Sequence, residues 1–98
     1  MAIAYRDSST GELVPATAGK IIRVRRLLIT TDATASFKLK HSGGDITPSF
    51  YLRQAGTSVL DVRFERDAPQ SPRGANLEVF TPVIGASYSV WVEYELVD

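Results

Sequence analysis

From Tyr88 to Leu96 the chain alternates with a period of two. Tyr88, Val90, Val92, Tyr94 and Leu96 fall on one side of an extended backbone, and Ser89, Trp91, Glu93 and Glu95 on the other. Such alternation fits a β-strand with one face on a core, whereas a helix needs its apolar residues every three to four positions. Leu60, Val62 and Phe64, set against Asp61, Arg63 and Glu65, repeat the pattern. Sliding that strand by one residue would bury all three charges, so its side chains fix its register.

Weaker alternation fills most of the chain. Ile3 to Arg6 reads as a short edge strand, Ser36 to Lys40 turns Phe37 and Leu39 inward, Pro48 to Arg53 carries Phe50 and Leu52, and Ala75 to Thr81 carries Leu77 and Val79. In Lys20 to Thr30, Ile22 and Val24 alternate with Arg23 and Arg25, but Arg26-Leu27-Leu28-Ile29 breaks the pattern. That break predicts a β-bulge or a strand buried on both faces. Turn-forming runs separate the strands: Ser8-Ser9-Thr10-Gly11, Ala18-Gly19, Thr31-Asp32, Ser42-Gly43-Gly44-Asp45, Ala55-Gly56, Pro69 to Gly74, and Gly85-Ala86. Turns at such short intervals predict an all-β, antiparallel two-sheet sandwich, jelly-roll-like, of seven to eight short strands. Residues 1–98 form one domain, with 1–10 as an N-terminal arm or edge strand. Two prolines make Asp67 to Gly74 a loop or arm instead of a central strand.

A domain of 98 residues buries roughly two thirds of the surface its unfolded chain exposes, enough for one core. Eleven basic residues balance eleven acidic ones, so no net field draws the chain to nucleic acid. With no cysteine, disulfides, zinc–thiolate centres and thiol catalysis are excluded. No run approaches the ~20 apolar residues that span a bilayer, and no leader pattern opens the chain. The expectation is synthesis in the cytoplasm with no membrane step.

No residue pattern points to catalysis, a cofactor or a metal. His41 is the single histidine, with Asp45 near it in sequence, and is expected to be an exposed strand-end residue. Asp32, Asp45, Asp61 and Asp67 lack the spacing of an oxygen-ligand loop. Ser42-Gly43-Gly44-Asp45 is a turn, since no helix follows to complete a phosphate cradle. Glu93 and Glu95 share an outward face, where cross-strand pairing with Arg23, Arg25 or Arg63 is expected instead of glycosidase chemistry. The candidate partner-binding residues are Tyr5, Arg6, Arg23, Arg25, Arg26 and Trp91. The arginines with Lys20 suit an acidic partner surface, protein ahead of nucleic acid given the neutral chain. Trp91, on a polar strand face, suits a stacking platform for sugar, an interface anchor, or packing under a loop.

Ala4-Tyr5-Arg6, the run Gly19-Lys20-Ile21-Ile22-Arg23-Val24, Ser36 to Lys40 and the closing Gly85 to Tyr94 together resemble small structural proteins of tailed-bacteriophage virions. The resemblance is one of strand starts over nearly the whole chain. It departs in the proline loop and the charged Asp61 to Asp67 section. It implies a capsid decoration (cement) protein, jelly-roll-like, on the outside of the shell. A small sandwich with open edges is expected to assemble symmetrically as a homo-oligomer, dimer or trimer, and the resemblance implies capsid or other virion proteins as partners. The alternatives are a carbohydrate- or receptor-binding sandwich module, and a head–tail connector or tail component.

Overall fold

The computed structural model of the chain describes residues 2–7, 11–31, 35–52, 58–81 and 88–98, and their side chains except those of residues 6, 7, 35, 51, 52, 58 and 88. Among the described residues there is no helix. The strands are β1 (Ala2–Asp7), β2 (Gly11–Val14), β3 (Ile21–Thr31), β4 (Ala35–His41), β5 (Gly44–Asp45), β6 (Phe50–Leu52), β7 (Ser58–Arg63), β8 (Leu77–Phe80) and β9 (Tyr88–Val97). They form two antiparallel sheets, ordered β1-β9-β3-β7 and β2-β8-β4-β5, with the three-residue β6 added to β4. The two sheets make a sandwich-like body, as the alternation predicts.

The pairing follows one rule. β1 lies on β9, β2 on β8, β3 on β7 and β4 on β6, all antiparallel. The first half of the chain thus runs back along the second half as one long hairpin. Rolling that hairpin brings β3 onto β9 and β4 onto β8 and closes the two layers. Ile22, Val24, Leu27 and Ile29 of β3, with Val90 and Val92 of β9, face Leu13, Val14, Phe37, Leu39, Leu77 and Val79 of the other sheet, all buried.

In β3 the inward residues are even-numbered up to Val24 and odd-numbered from Leu27 onward. The switch is a bulge: Val24 stands opposite Tyr94 but Arg26 opposite Glu93, which leaves Arg25 as the extra residue. Of the two expectations for this segment the bulge holds, and Leu28 remains half-buried on the outer face instead of joining a second core.

Two elements differ from the sequence reading. Residues Gly11–Val14 form a strand, not the end of a turn, and Leu13 and Val14 are both buried because the β2–β8 register shifts between Glu12 and Val14. Gly44–Asp45 also pairs, which narrows the expected turn to Ser42-Gly43. Leu96, placed on the inward face by its alternation, lies at the strand end beyond the core and is exposed.

The proline loop is fastened to the half of β3 that β7 does not reach. Val24 N–H donates to the Pro69 carbonyl (2.8 Å), Ser71 N–H to the Ile22 carbonyl (2.9 Å) and Gly74 N–H to the Lys20 carbonyl (2.7 Å). Pro69 and Pro72 lack the donor a ladder needs, so Ser71 and Gly74 supply it. Gly74, at φ 77°, sits third in a turn closed by Ala75 N–H on the Pro72 carbonyl, a place that favours glycine. The buried Ser71 hydroxyl accepts from Ile22 N–H (3.0 Å) and donates to the Pro72 carbonyl. Ser71→Ala leaves that buried donor without its side-chain acceptor and is expected to cost about 1–3 kcal/mol in urea unfolding, with the slope unchanged.

Candidate functional site on the outer face of one sheet

The outer face of the β1-β9-β3-β7 sheet is built from cross-strand rows. Tyr5 stands opposite Trp91, Trp91 opposite Leu28, and Leu28 opposite Asp61. The next row runs Ile3, Glu93, Arg26 and Arg63. Glu95 lies opposite Arg23 beyond it. Trp91 is 37% exposed, Tyr5 58% and Ile3 54%, so one corner of the face carries an open apolar and aromatic patch. Two of the readings offered for Trp91, platform and interface anchor, need this exposure.

On the side of Trp91 toward Glu93 and Glu95 the face is a charge lattice. The bulge turns both Arg25 and Arg26 outward beside Arg23. Arg26 donates from Nε and Nη2 to the two oxygens of Asp61 (3.0 and 2.9 Å), a two-pronged bond that fixes the guanidinium, and from Nη1 to Glu93 (3.4 Å). Arg25 donates from Nε (2.9 Å) and Nη2 (2.6 Å) to Glu95, with Arg23 Nη1 at 3.5 Å. Arg23 also donates from Nε to Gln70 (3.2 Å), which ties the proline loop into the lattice. Cross-strand pairing of Glu93 and Glu95 is therefore seen, with Arg23 and Arg25 as expected and Arg26 where Arg63 was expected. Exposed pairs contribute little each, but here they share partners and fix the geometry of the face.

Two open troughs cross the lattice. One, about 560 Å³, is lined by Arg23, Arg25, Glu65, Asp67, Ala68 and Gln70. The other, about 280 Å³, is lined by Arg25, Arg26, Arg63, Phe64, Glu65 and Glu93. Both mix the two signs of charge.

Of the sequence candidates, Tyr5 and Trp91 are neighbours, and Arg23, Arg25 and Arg26 share their face. Arg6 does not join them by register: it pairs with Val90, the position alternate to Tyr5, and its side chain lies outside the described residues. Ile3, Leu28 and Asp61 lie on the same face, outside the candidates the sequence offers. Ile3 and Leu28 are apolar residues that alternation alone assigns to neither layer; their pairing with β9, Ile3 opposite Glu93 and Leu28 opposite Trp91, is what places them. His41 ends β4, and its Nδ1 accepts from Gly43 N–H (3.1 Å) within the hairpin turn. Asp45 turns to Lys38 (3.0 Å), so sequence proximity does not bring it to His41. Among the described residues no group of histidine and acidic side chains is arranged to hold a metal ion. No helix of the described residues is long and apolar enough to cross a membrane.

Comparison of the chain with protein-family models, curated proteins and solved structures finds no match in any of the three. The face has to be read from its own chemistry.

The Arg26 guanidinium, chiefly through its hydrogen bonds, holds the Asp61 carboxyl below the usual carboxylate range, and Asp61 in turn raises Arg26 further. A carboxyl whose folded pKa is depressed adds stability above its unfolded value, about 3.9, and loses it as pH falls through the folded value. The wild-type urea midpoint is expected to drop on acidification from pH 5 toward pH 2. Asp61→Asn should lower the midpoint at pH 7 and flatten that acid dependence.

Proposed function

We propose that this chain is a non-enzymatic structural domain of a phage virion, in the first instance a head decoration protein that bridges neighbouring capsid subunits. The observation that carries the proposal is the outer sheet face. It sets exposed Trp91, Tyr5 and Ile3 beside arginines whose charge is already matched by Asp61, Glu93 and Glu95. A face of this kind presents aromatic anchors and a polar rim, the composition of a protein contact, and its internal ion pairs remove the net charge that would favour nucleic acid.

The fold supports the reading by analogy. With β5 and β6 taken as one position, a long antiparallel hairpin rolled into orders β1-β9-β3-β7 and β2-β8-β4-β5 supports a jelly-roll reading of the sandwich, an architecture of viral shell and lectin domains. The resemblance of strand starts noted in the sequence points the same way. Function follows from many modest contacts acting together across a shell, each at or below the standard ~1,600 Å². The protein works in the virion after synthesis in the host cytoplasm, with shell proteins as partners.

A second reading rests on the same pair. Trp91 and Tyr5 on adjacent strands of an open face also make a stacking surface for a sugar ring. One experiment separates the two. The purified protein is offered to expanded shells of the major shell protein encoded in the same genome, and to a glycan array. Saturable binding to shells, with a gain in their heat resistance that Trp91→Ala reduces, is the expected result. Binding to glycans alone, abolished by Trp91→Ala, replaces decoration with the carbohydrate reading.

A further inference from the structure

Among the described residues, with β5 and β6 counted as one position, the sandwich has four sheet edges, and three of them carry features that discourage pairing. β7 presents exposed Asp61 and Arg63. β2 is four residues long, contains a register shift and ends at Pro15. β5 has two residues. Short length, charges, bulges and proline are the usual means of protecting an edge. β1 has none of them over its first four residues. It runs six residues in unbroken register on β9, ends the sheet order among the described residues, and exposes Ile3 and Tyr5.

We propose that β1 is a self-pairing edge, on which a second copy of this chain adds antiparallel to give one continuous eight-stranded sheet. The choice of partner comes from the strand's own pattern. Residues directly opposite in an antiparallel pair share a face, so two identical strands related by a twofold axis centre on a single residue. Centring on Ala4 sets Ile3 opposite Tyr5 of the second copy twice over, an aliphatic–aromatic pair of the favourable kind, and sets Ala2 opposite Arg6. Centring on Tyr5 would instead oppose Ile3 to Asp7, and centring on Ile3 would leave Arg6 and Asp7 outside the ladder. The Ala4 register has no like charges in opposition.

Pairing in that register has a consequence for the face. The row Leu28, Trp91, Tyr5 continues into Ile3 of the second copy, and its symmetry mate runs alongside in the opposite sense. Two corner patches become one apolar band across the dyad. An added edge of five residues, Ala2 to Arg6, buries less than the ~1,200 Å² below which contacts are usually transient, so the dimer is weak and concentration-dependent. The inference deepens the assembly reading, which supplies its use.

Sedimentation velocity of the full chain from dilute to concentrated solution tests it. The wild type is expected to shift from monomer to dimer. Ile3→Lys, at an exposed position opposite Glu93, should keep its β-sheet circular dichroism and remain monomeric. An equimolar mixture of Ile3→Lys and Tyr5→Glu chains should recover dimer, because the register places the two new charges together. In an otherwise cysteine-free chain, Ala4→Cys should cross-link on oxidation at least tenfold faster than Ala2→Cys. A wild type monomeric at every concentration, or a dimer indifferent to Ile3→Lys with equal cross-linking at both cysteine positions, overturns the proposal. Shell binding by a monomeric chain would overturn only this inference. A β1-paired dimer that ignores shells would overturn only the assigned function.

Discussion

The structure depends on one extra residue in its central strand. β3 is the strand both neighbouring strands of its sheet are built on, β9 along its whole length and β7 along its second half. Its first half buries Ile22 and Val24, its second half Leu27, Ile29 and Thr31, and these two sets have opposite parity. A regular strand can bury one set or the other. The bulge at Arg25 lets it bury both, and because the two bulge residues are Arg25 and Arg26 the same irregularity places two adjacent arginines on the outer face. Core and candidate site are thus consequences of one backbone feature. The carboxylates that receive those arginines, Glu93 and Glu95, come from β9, the strand whose alternation is the clearest in the chain.

A similar economy holds for the proline loop. β7 ends opposite Arg26, and below that point β3 has an open edge. Residues 69–74 cover it with three backbone hydrogen bonds and the Ser71 hydroxyl. Gln70, projecting from that segment, bonds Arg23 and so links the covered edge to the charged face. The proline loop is a structural part of the site's support.

What could be read in the sequence follows from how far side-chain alternation reports on geometry. β9, β7, β4 and β8 bury one face under regular pairing, so Val90, Val92, Phe37, Leu39, Leu77 and Val79 announce themselves. β2 was hidden because its register shift buries Leu13 and Val14 in succession, which imitates neither strand nor helix. β5 was hidden because two residues carry no period. On the site, Trp91 and the arginines stood out by residue type. Ile3, Leu28 and Asp61 did not, because their place depends on which residues lie across the sheet. That information lies in the long-range pairing of residues as far apart as Tyr5 and Trp91, and a periodicity of two says nothing about partners.

Deletion of Arg25, compared with deletion of Leu28, tests the central claim most directly by urea unfolding. Without Arg25 the strand needs no bulge, because strict alternation then carries Ile22, Val24, Leu27 and Ile29 inward together. Without Leu28, a position in regular register, Ile29 and Thr31 pass to the outer face. The account predicts that the Arg25 deletion unfolds cooperatively, with a modest fall in midpoint from the lost Glu95 pair, while the Leu28 deletion abolishes cooperative unfolding. An Arg25 deletion as damaging as the Leu28 deletion would contradict it.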